Sequence, residues 1–179
     1  GLWTRRGMSP EEATRALVHF VAEQATIQPG SAVCDVGCGY GATARLLARE
    51  YQAQVTAITI SEAQFRQART VDPESDNPTY LKGDWLRNEF APMSFDAVIA
   101  IESSEHMPNL AEFFEQAYRV ARPGARLVVC AWLSRSRIRG WEKRRLIDPI
   151  CREGRMRAME TAEEYERIAR SVGFLPIHA

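Results

Sequence analysis

Val33-Cys34-Asp35-Val36-Gly37-Cys38-Gly39-Tyr40-Gly41 is an apolar run, then one acid, then three glycines at alternate positions, and the helix-forming stretch Ala42 to Glu50 follows. Such a sequence reads as a buried strand, a tight turn and the start of a helix. Alternate glycines let the backbone turn sharply and approach a ligand, because no Cβ intervenes. The stretch also satisfies the dinucleotide fingerprint, with Gly37 and Gly39 followed by Ala42 as the third small residue.

The acid separates the two ligand classes. A pyrophosphate on the helix N-terminus carries negative charge, and a carboxylate at the strand tip repels it. A ligand bearing an ammonium and a sulfonium is attracted instead, and S-adenosylmethionine bears both. The dinucleotide reading also wants an acid about twenty residues on, to hold a ribose hydroxyl. The end of the second strand offers Thr59 instead. Thr59 and Gln64 suit a ribose diol as neutral partners, although Thr59 also fits an ordinary strand end.

Outward from this turn the chain alternates strands and helices. Ser9-Pro10-Glu11-Glu12 starts a helix, with Ser9 as its cap. Strands are expected at 32–36, 54–60, 79–82, 95–101 and 126–132. Helices are expected at 42–51, from Ser61 (with Gln64 completing a capping box), at 110–120 and at 161–171, the last with Gly173 as C-cap. The stretch 72–78 reads as a loop. Alternation of this kind gives a parallel α/β sheet covered on both faces, with ligands at the carboxyl ends of its strands. One domain over 1–179 is expected, and the long connection at about 134–160 is expected to form a cap.

The strand ends hold the candidate residues. Asp84 suits an adenine amino group or a plain turn cap, and Trp85 offers an aromatic face to the ring. Glu102-Ser103-Ser104-Glu105-His106 bunches acids, hydroxyls and an imidazole at one strand end. His106 fits either a space-filling residue at a helix start or the natural proton acceptor, with Glu105 placed to orient it.

At three places the chain resembles class I S-adenosylmethionine-dependent methyltransferases: residues 33–41, Ala57-Ile58-Thr59-Ile60-Ser61-Glu62-Ala63-Gln64, and Ile101-Glu102-Ser103-Ser104-Glu105-His106-Met107-Pro108. The subgroup it resembles holds tocopherol methyltransferases, cyclopropane-fatty-acid-synthase-like enzymes and small-molecule natural-product methyltransferases. The resemblance implies a Rossmann-like three-layer sandwich with a mostly parallel sheet, incomplete at both ends of this sequence. It implies that Asp35 and the turn Gly37, Gly39, Gly41 bind the methionine end of the cofactor. Thr59, Ile60 and Gln64 would lie along ribose and adenine, with Asp84 and Trp85 flanking the adenine. Ile101 would offer its carbonyl near the methionine amine, and Trp3 would close over the cofactor. Glu105 and His106 would face the acceptor, a phenolic or lipid-like small molecule methylated on oxygen or activated carbon, leaving S-adenosylhomocysteine. A scaffold protein that binds the cofactor without turnover and an NAD-dependent oxidoreductase are the competing classes.

Composition narrows the partners. The chain has 23 basic and 23 acidic residues, so no global charge favours nucleic acid. The basic run from Arg135 to Arg157 reads as a solvated cap face, or else as a surface for an anionic substrate or a membrane. Few aromatics interleave with it, which disfavours nucleic acid further. No apolar run reaches membrane-spanning length. Cys34, Cys38, Cys130 and Cys151 lack zinc-ligand spacing, so no metal is expected, and reduced thiols point to a cytoplasmic protein.

Overall fold

The computed structural model describes residues 1–71 and 76–177. The loop expected over 72–78 therefore falls partly outside the described residues. The elements are α1 (Pro10–Gln24), β1 (Ala32–Val36), α2 (Ala42–Glu50), β2 (Gln54–Thr59), α3 (Glu62–Val71), β3 (Thr79–Lys82), β4 (Phe95–Ile101), α4 (Leu110–Val120), β5 (Ala121–Cys130), α5 (Gly140–Glu142), α6 (Asp148–Glu153) and α7 (Ala162–Val172). Short 3-10 turns follow β3 and β4, and a π-turn at Lys143–Ile147 joins α5 to α6.

The five strands are ordered β3-β2-β1-β4-β5, and every pair is parallel. Between β1 and β4 the chain reverses its direction of sheet building, which opens a crevice at the carboxyl edge there. Because side chains alternate across a strand, β1 and β4 feed two cores. Val33, Ala97 and Ile99 pack with Val18, Val21, Ala44 and Leu47 of α1 and α2. Cys34, Val36, Val98 and Ala100 pack with Phe113, Phe114 and Ala117 of α4 and Ile168 of α7. Helix, sheet and helix thus make the three layers expected.

Local signals placed most boundaries. Ser9 Oγ accepts the Glu12 N–H at 3.1 Å while the Glu12 carboxylate accepts the Ser9 N–H at 2.7 Å, so α1 opens with a full capping box. Gly173 caps α7 at φ +117°.

Two expectations need correction. The fifth strand begins at Ala121, directly off α4, with a register irregularity between Phe95 and Ala97, rather than running over 126–132. Pro123, which lacks a ladder N–H, and Gly124 at φ +83° fill that irregular stretch. Ahead of α3, Ser61 Oγ accepts the Gln64 N–H at 3.4 Å, but the Ser61 N–H goes to Thr59 Oγ1 at 3.2 Å. The Gln64 side chain is engaged elsewhere, so the expected capping box is only half formed.

Candidate active site

The loop after β1 is held from below. Gly37 and Cys38 donate their N–H groups to the Ile58 carbonyl at 2.9 and 3.1 Å, tying the turn to β2. Gly37, Gly39 and Gly41 all have positive φ, a region costly to residues with a Cβ. Their surroundings differ. A Cβ on Gly37 would stand 2.4 Å from Ser103 Cβ, and one on Gly41 would stand 2.5 Å from Tyr80 Oη. A Cβ on Gly39 would meet nothing within 4 Å, so this middle glycine faces open space. Two glycines let the turn sit close to its supports, and the third leaves room above it.

Asp35 is buried, at 2% exposure, on the face of β1 that carries Val33. Its Oδ2 has no hydrogen-bond partner, and among the described residues it is the buried side-chain oxygen or nitrogen left in that state. Burial pushes the Asp35 carboxyl up to about 7. Buried polar groups are almost always paired, so this orphan is an uncompensated acceptor at the strand tip. A donor cation arriving there would satisfy it, whereas a diphosphate would not. The residues present therefore fit a cationic ligand. The neighbouring Cys34 and Cys38 thiols are also raised by burial, Cys38 to about 12, which keeps them protonated.

After β2, Thr59 does not present its hydroxyl outward. It is 4% exposed, accepts the Ser61 N–H and donates its proton to Gln64 Oε1 at 2.8 Å. That bond fixes the Gln64 amide with its NH2 group directed away from Thr59. The direct ribose contact expected of Thr59 is corrected to a bond with Gln64. Ile60 is 74% exposed at the same edge, an apolar platform beside the turn.

After β3, Asp84 Oδ1 accepts the Leu86 N–H at 3.0 Å, so it caps the 3-10 turn while its carboxylate stays exposed. Trp85 is a clear correction. It is 4% exposed, its indole packs on Phe90 and Phe113, and its Nε1–H donates to the Phe113 carbonyl at 3.3 Å. A buried indole needs a partner for its N–H, and α4 supplies it. Trp85 is core rather than an adenine face. Trp85→Ala is expected to lower stability by about 3–5 kcal/mol, measured by urea denaturation.

After β4, Ile101 pairs with Cys130, and Glu102 takes φ +50° as the chain leaves the strand. Ser103 Oγ donates to the Val36 carbonyl at 2.6 Å, locking this loop onto the glycine turn. Glu105 is 5% exposed. Its Oε1 accepts the Trp132 N–H at 3.2 Å and its Oε2 accepts the Ser104 hydroxyl at 3.3 Å, with Tyr165 Oη 2.9 Å from Ser104 Oγ. Glu105 therefore does not orient His106, as its neighbouring position led us to expect. It ties β4 to β5 and α7. The nearest partner of His106 Nδ1 is the Arg155 carbonyl, at 3.5 Å. A carbonyl only accepts, so in the tautomer that makes this bond Nδ1 is the donor and Nε2 is the free acceptor.

Glu105 and His106 line a cavity of about 510 Å³ with Glu102, Trp132, Pro149, Ile150, Glu153, Gly154 and Met156. The last five come from the segment expected to cap the sheet. Their individual roles were not legible, because the 134–160 stretch has no periodicity that predicts which of its residues face inward. Trp3 is 60% exposed, on a segment anchored by the Leu2 N–H to the Ala13 carbonyl at 2.7 Å. The candidate residues 35–41, 59–64, 84 and 101–106 are thus gathered along one carboxyl edge of the sheet.

Residues 34–129 match the family described as "Methyltransferase domain". The chain is 38% identical over 141 residues to the 2-methyl-6-phytyl-1,4-hydroquinone methyltransferase of Synechocystis sp., covering 73% of this chain and 44% of that protein. It is 40% identical over 119 residues to a probable tocopherol O-methyltransferase of Oryza sativa, covering 65% of this chain and 33% of that one. Among solved structures, the cyclopropane synthase MmaA2 from Mycobacterium tuberculosis superposes with a TM-score of 0.81 at 26% identity, covering 97% of this chain and 65% of that chain. The chain belongs to the methyltransferase-domain family, and its fold is that of the class I S-adenosylmethionine-dependent methyltransferases. It spans less than half the length of these two curated relatives.

Proposed function

We propose that the protein transfers a methyl group from S-adenosylmethionine to a phenolic or lipid-like small molecule held in the cavity beside His106. The observation that carries this reading is the orphaned Asp35 Oδ2 beneath a glycine turn whose middle residue faces open space. The relatives methylate a hydroquinone and a tocopherol by name, which supports the acceptor class. No helix is long and apolar enough to cross a membrane among the described residues. The free cysteines are consistent with a cytoplasmic location.

Asp35 and the backbone of Gly37 to Gly41 would hold the methionine end of the cofactor, with the Ile101 carbonyl nearby. The Gln64 amide, fixed by Thr59, would donate to the ribose. Ile60 and Asp84 would bracket the adenine, and the exposed Trp3 is available to cover it. Bound there, the cofactor supplies a methyl group already activated by its sulfonium. The chain's own task is then placement of the acceptor, which accounts for the walls formed by Trp132, Ile150 and Met156. His106 Nε2 would take the proton from an acceptor hydroxyl, because its lone pair points away from Arg155. Glu105 would keep the loop bearing His106 in place through Trp132 and Ser104.

The competing classes predict different results. An oxidoreductase needs a diphosphate on the turn above Asp35. A scaffold needs no proton acceptor in a substrate-sized cavity. The direct test supplies methyl-labelled S-adenosylmethionine with a panel of alkylated phenols and hydroquinones and measures label in the acceptor. Transfer to at least one acceptor supports the reading, and binding of cofactor with no transfer to any acceptor favours the scaffold. With an acceptor in hand, His106→Ala is expected to lower turnover by about 10²–10⁴-fold while leaving S-adenosylhomocysteine affinity within about twofold. Unchanged turnover would remove His106 from the chemistry.

A further inference from the structure

The charge of this neutral chain is unevenly placed. Residues 134–159 hold nine arginines and lysines and three acids, a net +6, which leaves −6 on the remainder because the whole has 23 of each. Two of the three acids are already engaged: Glu142 pairs with Arg135, and Asp148 pairs with Lys143 at 3.0 Å. No ion pair among the described residues engages the exposed Arg144, Arg145 or Arg152.

Large apolar side chains are exposed on the same segment and beside it. Trp132, Leu133, Trp141, Leu146 and Ile150 are 50%, 44%, 50%, 52% and 40% exposed. A solvated basic face needs arginines but gains nothing from two tryptophans and three aliphatics. Exposed aromatics among cations are the composition of a segment that lies in a lipid headgroup region, where the charges meet anionic lipid and the rings enter the acyl boundary. A nucleic acid or an acidic protein would satisfy the arginines alone. Ile150 and Trp132 also line the 510 Å³ cavity, so two of these five exposed side chains border the proposed acceptor site.

We propose that the segment 134–159, with Trp132 and Leu133, is a docking surface for an anionic phospholipid bilayer. Charge complementarity drives attachment, and the apolar side chains give it depth. The inference goes beyond the methyltransferase reading and stands without it, since its readout needs neither cofactor nor turnover.

The test is sedimentation of the full chain with large vesicles of phosphatidylcholine containing about 30 mol % phosphatidylglycerol, beside vesicles of phosphatidylcholine alone. Binding is expected only to the anionic vesicles and is expected to fall when salt rises to about 0.5 M. Arg144→Glu with Arg145→Glu is expected to reduce partitioning at least about tenfold. Trp141→Ser is a second variant that leaves the charge intact. It is expected to weaken vesicle binding and to reduce the blue shift in tryptophan emission, with Trp132 supplying what remains. Equal binding to both vesicle types, no binding to anionic vesicles at low salt, or tighter binding to duplex DNA than to the anionic vesicles would overturn the proposal. So would variants that keep native circular dichroism and wild-type partitioning.

Discussion

Asp35→Asn is expected to abolish cofactor binding while making the ligand-free protein more stable above pH 7. The wild-type carboxyl is buried without a partner and titrates at about 7 in the folded protein, against an ordinary value of 3.8. Between those values the folded protein keeps a proton that the unfolded chain has lost. This group's contribution to stability is therefore complete below pH 4 and is lost as pH rises through about 7. Asparagine has the same shape and no charge to desolvate, so the variant loses this pH dependence. Its net gain above pH 7 is expected to be about 1–3 kcal/mol, because the amide still wants a partner. Thermal unfolding at pH 5 and pH 8 measures it. A cationic ligand lowers the Asp35 pKa, so wild-type binding below pH 7 releases a proton and affinity rises from pH 5 to a plateau above pH 7. With asparagine, S-adenosylhomocysteine binding is expected to fall below detection at pH 8, and the pH dependence is lost with it.

Gly37→Ala and Gly39→Ala are expected to fail for opposite reasons, although the residues are two positions apart. At Gly37 a methyl group would stand 2.4 Å from Ser103 Cβ, and Ser103 is held by its bond to the Val36 carbonyl at 2.6 Å. Neither neighbour has room to give. Overpacking and the positive φ of 73° together are expected to cost about 3 kcal/mol, or about 6–12 °C in Tm. At Gly39 the methyl group meets nothing, so only the φ of +55° counts, at about 1 kcal/mol. Yet the open space above Gly39 is where we propose that the cofactor sits. Gly39→Ala is therefore expected to keep most of its stability and lose at least about tenfold in cofactor affinity. Scanning calorimetry and ligand titration on the two variants separate the cases. A Gly39 variant that binds normally would show that the open side of the turn faces only solvent.

The framework was legible because its signals are local. Continuous apolar runs gave the strands, Ser9 and Gly173 gave helix ends, and the strand-acid-glycine pattern gave the turn. Side-chain partners were less legible, because they depend on atoms far apart in the chain. Trp85 follows a strand as a ligand-facing aromatic would, but Phe113, 28 residues on, takes its indole N–H. Glu105 stands next to His106 in sequence, but its carboxylate is claimed by the Trp132 N–H, 27 residues away. Thr59 and Gln64 were read as equal partners of a ribose, but the Thr59 hydroxyl bonds to the Gln64 amide, which only rotamers decide. The contribution of residues 134–160 to the cavity depends on helices broken by a π-turn, for which the sequence carries no period.

The buried, unpartnered Asp35 carboxylate at the tip of β1 is suited to a cation. Isothermal titration of the protein with S-adenosylhomocysteine and, separately, with NAD at pH 8 tests that claim most directly. Heat of binding with S-adenosylhomocysteine, none with NAD, and none with either ligand for Asp35→Asn is the predicted result. Binding of NAD, or undiminished S-adenosylhomocysteine binding by the Asp35→Asn protein, would contradict it.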